Sequence, residues 1–164
     1  MQILSRKFWL LKTEPYSYSI HDFAREGITC WEGVRNYQAR NFLKTMKCGD
    51  IAFIYHSSTS IPGIVGVGYV SSEAIPDPTQ FKPESPFYDK KARIEAPRWW
   101  APQIKFIGNS SDVITRKMLS LSAQTSSMRV LQKGNRLSVL PLENSEGAFI
   151  LSNWFEKSIL EKIS

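Results

Sequence analysis

The stretch Cys30-Trp31-Glu32-Gly33-Val34-Arg35-Asn36-Tyr37-Gln38-Ala39-Arg40-Asn41 brings an indole, a glycine turn, a guanidinium and an amide to the start of a helix. The helix follows from spacing. Ala39, Phe42, Leu43 and Met46 recur at i, i+3, i+4 and i+7 and must face a core, while Gln38, Arg40, Asn41, Lys44 and Lys47 leave a basic outer face. Asn36 precedes Ala39 by three residues, as an N-cap does, and such a cap is worth about 1 kcal/mol. A helix start presents unpaired N–H groups and the positive end of the helix dipole. Arg35 just ahead of it is therefore electrostatically out of place unless an anion meets it, either a ligand phosphate or a carboxylate such as Glu32 or Glu14. Aromatic surface, amide and cation converging at one spot suit an anionic ligand that carries a base.

Before this stretch, Phe8-Trp9-Leu10-Leu11-Lys12 reads as a strand that Thr13-Glu14-Pro15 ends, because Pro15 holds Glu14 extended and cannot donate to a ladder. Ser19 to Gly27 reads as a short helix with a serine cap and a glycine stop, and Ile28 to Trp31 as a brief strand. Beyond the central helix, which Gly49-Asp50 ends, Asp50 to His56 and Gly63 to Glu73 are strand-like, joined by the loop Ser57 to Pro62. Glycines at 63, 66 and 68 predict bends or bulges of a small closed sheet. The proline-rich segment 74–97 is a long connection of the kind that is either functional or disordered, and Phe81, Phe87 and Tyr88 argue for order. Arg98 to Ile107 is strand-like, with Trp99 on its more polar side. Residues 112 to 133 read as short helices, Asn135 to Leu140 as a closing strand, and a C-terminal helix is expected from Asn153 with Glu156 in a capping-box-like pair. Strands with helices inserted between them predict an α+β domain built on a small barrel.

One domain fits 164 residues, enough to bury a core without staples. A formal charge of +6 and a pI near 9.4 favour a polyanionic partner. Cys30 and Cys48 form no CxxC and His21 and His56 form no ligand pair, so reduced buried thiols and no metal or cofactor are expected. Without a signal-like N-terminal run or an apolar stretch of membrane-spanning length, the expected setting is cytoplasmic. No P-loop, GxSxG or HExxH motif occurs.

The candidate base pocket comprises Trp31, Val34, Asn36, Tyr37, Thr13, Tyr55, Ser57 and Trp99. Trp31 offers a stacking surface, worth about 1–3 kcal/mol per base, or a core residue. Tyr37, Tyr55 and Trp99 either complete an aromatic cage or simply pack, and Ser57 offers a hydroxyl to a base edge or to water. Candidate phosphate contacts are Arg35, Arg40, Lys44, Arg98 and Arg136; Lys47, Arg129 and Lys133 share the same basic character, and as a set they predict salt-dependent affinity. Lys12, Thr13 and Glu14 carry the amine, hydroxyl and carboxylate of an alternative, catalytic reading, although on a strand Thr13 points away from the other two. A third reading is protein interaction through the 74–97 loop.

The segment from Trp31 to Asn41 resembles the hallmark of the EVE domain. So do, in order, Phe8-Trp9-Leu10 through Thr13-Glu14-Pro15, Gly49-Asp50 through Tyr55-His56-Ser57, Pro62 to Gly66, Pro76-Asp77-Pro78-Thr79, Pro97-Arg98-Trp99 and Gly134 to Val139. The likeness runs from about residue 8 to residue 151; Thr13 stands where serine is commoner, and the polar stretch Gly108 to Ser127 matches poorly. The resemblance implies a PUA-like fold, a small β pseudo-barrel with flanking short helices. It also implies non-catalytic recognition of a flipped, modified nucleobase in nucleic acid, 5-methylcytosine or 5-hydroxymethylcytosine in DNA first and modified RNA second, by a monomer without a membrane partner. Relatives of ASCH type give the catalytic alternative a substrate class, acylated cytidine.

Overall fold

The first strand sets the layout. In the computed structural model, which describes residues 6–163, β1 (Phe8–Thr13) is buried on both faces: Phe8 and Leu10 enter one apolar cluster, Trp9 and Leu11 the other. An unbroken apolar run is what a central strand requires. It pairs in parallel with β3 (Ile51–His56), Phe8 opposite Ile51 through Thr13 opposite His56, and antiparallel with β6 (Val139–Leu142). β4 (Gly63–Pro76) and β5 (Trp100–Thr115) continue the sheet beyond β3, and β2 (Ile28–Cys30) closes it, in the order β2-β5-β4-β3-β1-β6.

The sheet is strongly bent. Register shifts break the β3–β4 ladder at Ile54/Tyr55 and the β4–β5 ladder at four places, two of them at Gly66 and Gly68. A Cβ at Gly68 would lie 2.5 Å from the Lys105 carbonyl, and one at Gly66 would strike Ile20 at 2.4 Å, so these glycines admit the close approach of β5 and of the first helix. The helix α2 (Tyr37–Thr45) touches both β5 and β6, which lie towards opposite edges of the sheet. The sheet is thus curled into a pseudo-barrel with α2 lying across its opening, an α+β, PUA-like arrangement.

The helix ends carry the chemistry their sequences specify. α1 (Ile20–Glu26) begins at a Ser19/Asp22 capping box and stops at Gly27, φ +79°, and the His56 ring accepts the Ile20 N–H at 3.0 Å. The Asn36 amide oxygen caps α2 by accepting from Ala39 N at 2.9 Å, and Ala39, Leu43 and Met46 are fully buried.

Elsewhere the boundaries shift. β5 starts at Trp100 and runs on to Thr115, so residues 112–115 are strand and α3 (Arg116–Leu121) follows them. The expectation of helix from residue 112 is corrected there: Asp112 is exposed while Ile114 reaches the core, an alternation in a polar stretch that carries little apolar signal of a strand. The closing strand is Val139–Leu142; Asn135 belongs to a turn, its side chain accepting from Leu137 N. Two helices, α4 (Asn144–Trp154) and α5 (Lys157–Ile163), replace the single C-terminal one, and the capping box is Glu143 with Glu146. Asn153 lies near the end of α4 instead of starting a helix, since the capping box that starts the helix is at Glu143 and Glu146; Gly147 there lets the backbone approach the Phe8 ring. Among the described residues no helix is long and apolar enough to cross a membrane.

Candidate nucleic-acid interface

A cavity of about 730 Å³ opens where β1 ends, a size suited to a small-molecule or nucleotide ligand. Trp31, Gly33, Val34 and Arg35 form one wall, Thr13 and Ser57 another, and Arg136, Ser138 and Lys12 also border it, with Tyr18, Glu26, Cys30, Glu32 and Phe87 around the rim. Trp31 is at once core and wall: it is 7% exposed, packs in the cluster of Leu11, Phe23 and Leu43, and meets the Tyr18 ring edge-on at 6.1 Å.

The wall exists because of a carboxylate that the charge pattern around Arg35 did not single out. Asp77 is fully buried. Its Oδ2 accepts the Gly33 N–H at 2.8 Å and Arg35 Nη1 at 2.9 Å, and its Oδ1 accepts from Thr79 N at 2.8 Å and Thr79 Oγ1 at 2.5 Å. Burial alone would raise its pKa, but the hydrogen bonds from Thr79, Gly33 and Arg35 outweigh that and hold the carboxyl below its ordinary value. Gly33 is held at φ +87°, and a Cβ there would lie 2.8 Å from the Phe87 ring. The 74–97 loop is thereby closed over the turn as part of the cavity. Gln80, also fully buried, ties it to the residues that lead into β5, donating to the Asp77 and Trp99 carbonyls and accepting from Arg98 N and Trp99 N. The signal was present in Pro76-Asp77-Pro78-Thr79: an aspartate capping a short turn with proline at its first position.

Arg35 meets Asp77, so the anion that resolves its conflict with the helix dipole is neither Glu32 nor Glu14. Its guanidinium also donates to the Phe87 carbonyl from Nε and Nη2 (3.0 and 2.7 Å), to Val34 O (3.0 Å) and to Thr79 Oγ1 (2.9 Å). Those bonds use its donor inventory, and the side chain braces the wall from behind.

Four of the eight candidate pocket residues border the cavity: Thr13, Trp31, Val34 and Ser57. Tyr55 falls on the far side of the sheet with Phe8 and Leu10, 2% exposed, because β3 alternates Phe53 and Tyr55 against Ala52 and Ile54. Asn36 is exposed and serves as the cap. Tyr37 and Trp99 stack on each other, centroids 5.0 Å apart, beside the cavity instead of in it. Trp99 is buried because Asp89 accepts its Nε1–H at 2.7 Å, which accounts for an indole on the polar side of the strand register. Among the cations, Arg40 donates to the Arg98 carbonyl, Arg98 pairs with Asp89 at 3.0 Å, and Lys44 lies over the Trp100 ring. Arg35 and Arg136 border the cavity.

Cys30 and Cys48 are free thiols, but Cys48 is exposed and Cys30 half-buried, against the expectation that both are buried. Burial, with Glu32 and Asp77 nearby, pushes the Cys30 thiol up to about 11, so it lines the cavity protonated. Among the described residues no group of three His, Cys, Asp or Glu side chains could hold a metal.

Residues 7–153 match the EVE domain family. The chain belongs to that family. A mouse relative, thymocyte nuclear protein 1, is 39% identical over 88% of this chain and 72% of its own length. The EVE domain superposes on a Pseudomonas syringae protein of known structure with a TM-score of 0.84 and 45% identity, covering 88% of this chain and 97% of that one. It matches human THYN1, solved in complex with 5-methylcytosine-containing DNA, with a TM-score of 0.81 and 36% identity, covering 89% and 96%.

Asp77→Asn keeps the shape of the EVE domain's clamp and removes its charge. Breaking a buried ion pair this way costs about 3–5 kcal/mol, measurable by urea unfolding at pH 7. Because the folded carboxyl is depressed, its stabilisation is present above an unfolded value of about 3.9 and is lost as pH falls through the folded value. The wild type should therefore lose stability on acidification below about pH 4, and Asp77→Asn should show a shallower loss over the same range.

Proposed function

We propose that this EVE domain reads a modified base in DNA, 5-methylcytosine first, by extruding the base into the cavity against Trp31. The observation that carries the reading is that the cavity wall is Trp31 to Arg35, the segment that resembles the EVE hallmark, within the residues that match the family. The 36%-identical human THYN1, solved with 5-methylcytosine-containing DNA, supplies the ligand class. An aromatic wall, a rim of hydroxyls and carboxylates and a net charge of +6 fit a base taken from a polyanion.

Magnitudes set what such a site can discriminate. Extrusion costs a few kcal/mol, offset by stacking of about 1–3 kcal/mol and by hydrogen bonds to the base edge. Burying one added methyl contributes about 0.8 kcal/mol, about fourfold in affinity at about 1.4 kcal/mol per decade. A hydroxymethyl group that meets the Ser57 hydroxyl gains further, since a buried polar group left unpaired costs about 1–3 kcal/mol.

The reading is of a binding domain. Lys12, Thr13 and Glu14 all border the cavity, yet the Thr13 hydroxyl is spent on the Tyr18 carbonyl at 2.8 Å and Glu14 accepts from Tyr16, so these three do not form a nucleophile activated by a neighbouring base. No turnover of N4-acetylcytidine is expected; hydrolysis that disappears in Lys12→Ala would replace the reading with an enzymatic one.

Anisotropy titrations of matched duplexes bearing cytosine, 5-methylcytosine or 5-hydroxymethylcytosine test the main reading. A preference of about fourfold for methyl and more for hydroxymethyl is expected, retained in part by Trp31→Phe and lost in Trp31→Ala with the fold checked by circular dichroism. Equal affinity for all three duplexes would sink it.

A further inference from the structure

The cations around the cavity are not equivalent. Arg35 is neutralised by Asp77 and committed to the Phe87 loop, and Arg40, Lys44 and Arg98 hold protein groups or rings away from it. Lys12 and Arg136 border the cavity, and neither has a carboxylate partner among the described residues. Lys12 is half-buried, its ammonium 5.8 Å from the centre of the Tyr55 ring. Burial, with Arg116 nearby, lowers its pKa. A partly desolvated cation with a like charge beside it and no counter-ion is an unfavourable arrangement that an anion relieves.

The backbone puts a serine on either side of the end of β1. Lys12 N donates to the Ser138 carbonyl at 2.8 Å, and Ser57 N donates to the Thr13 carbonyl at 3.0 Å. Ser138, the end of β1 and Ser57 therefore lie abreast across three chain segments, spaced by roughly one strand separation of about 4.8 Å. Both serines are half-buried, both border the cavity, and neither hydroxyl makes a hydrogen bond among the described residues. Two of the three carboxylates at the cavity gather elsewhere, Glu32 having Asp77, Glu26, Lys82 and Arg35 as its charged neighbours, whereas Lys12 has Arg116; the third, Glu14, follows β1 and accepts from Tyr16. The cavity is thus acidic around Glu26 and Glu32, while the end of β1 brings the cation Lys12 to it, with Glu14 held by Tyr16.

We propose that Lys12 and Arg136, with the hydroxyls of Ser57 and Ser138, form an anion subsite that holds the DNA phosphate next to the extruded base. The inference rests on the base-reading function above and deepens it, because a nucleotide turned out of the stack brings its flanking phosphodiester to the cavity mouth. The acidic side is left to the base edge, where carboxylates accept from the exocyclic amine of a cytosine and reject a phosphate. Lys12 is then a binding residue rather than a nucleophile.

The test replaces one charged phosphate at a time with a neutral methylphosphonate, immediately 5′ or 3′ of the 5-methylcytosine in an otherwise identical duplex, and measures affinity with the intact protein. Wild type should lose about tenfold or more at one of these positions, the range of a hydrogen bond to a charged group. It should lose less at a methylphosphonate placed several base pairs away. Lys12→Met should bind the unmodified-backbone duplex correspondingly more weakly, be indifferent to the substitution that matters in wild type, and keep the preference for 5-methylcytosine over cytosine. Wild type indifferent to both flanking methylphosphonates would overturn the subsite while leaving the base reader standing, and that measurement needs no variant to fold. Undiminished sensitivity in Lys12→Met would overturn it as well. Absence of any methyl preference in wild type would remove the base reader, and the subsite with it.

Discussion

A single buried carboxylate organises this molecule's functional end. Asp77 takes hydrogen bonds from a turn in the signature segment, from the arginine after it and from its own loop. Two pieces more than forty residues apart in sequence become one wall. Removing water from a carboxylate is costly unless donors replace it, and here the donors are groups that need an acceptor. Gly33 presents its N–H in a backbone conformation reserved for glycine, and Arg35 sits where the helix dipole disfavours a cation. Each group resolves the other's cost, so the turn, the arginine and the 74–97 loop form or fail together.

That clamp leaves the cavity with distinct regions. Trp31 is fixed by the core behind it and by the Tyr18 edge, which makes it a rigid surface for a planar ligand. At the end of β1, Lys12 and Arg136, which have no carboxylate partner among the described residues, border the same cavity as Ser57 and Ser138. The parallel β1–β3 pair lies at the centre of this arrangement, since its register brings Thr13 opposite His56 and so delivers Ser57 to the cavity. The proline-rich loop is a structural wall, bound through Gln80 and Asp77, and this counts against its acting as a detached docking segment.

Much of the fold was legible because it depends on local rules. The helical spacing of Ala39, Leu43 and Met46, the Ser19 and Asn36 caps, the Gly27 stop and the apolar run of β1 all state their own geometry. The errors lie where tertiary contact overrides composition. The polar stretch after Gly108 is strand because Gly63 and Ile64 pair with Thr115 and Ile114, a constraint invisible locally. α4 starts at Asn144, before the Asn153 expected from sequence, and its Gly147 lets the helix lie against the Phe8 ring, a contact invisible locally. In the site, Tyr55 belongs to the core cluster of Phe8 and Leu10, which its spacing of two from the apolar Phe53 on β3 already signals. Asp77 was hidden by distance: its partners Gly33 and Arg35 lie more than forty residues away in sequence.

The central claim is that a base leaves the duplex and enters the cavity beside Trp31. The most direct measurement places 2-aminopurine next to 5-methylcytosine in the strand and follows its emission as protein is added, with binding tracked in parallel by anisotropy. Emission should rise and saturate together with binding, because the fluorophore loses its stacked neighbour, and Trp31→Ala should abolish the rise. Saturated binding with unchanged emission would contradict extrusion, leaving recognition of the intact helix by the basic surface.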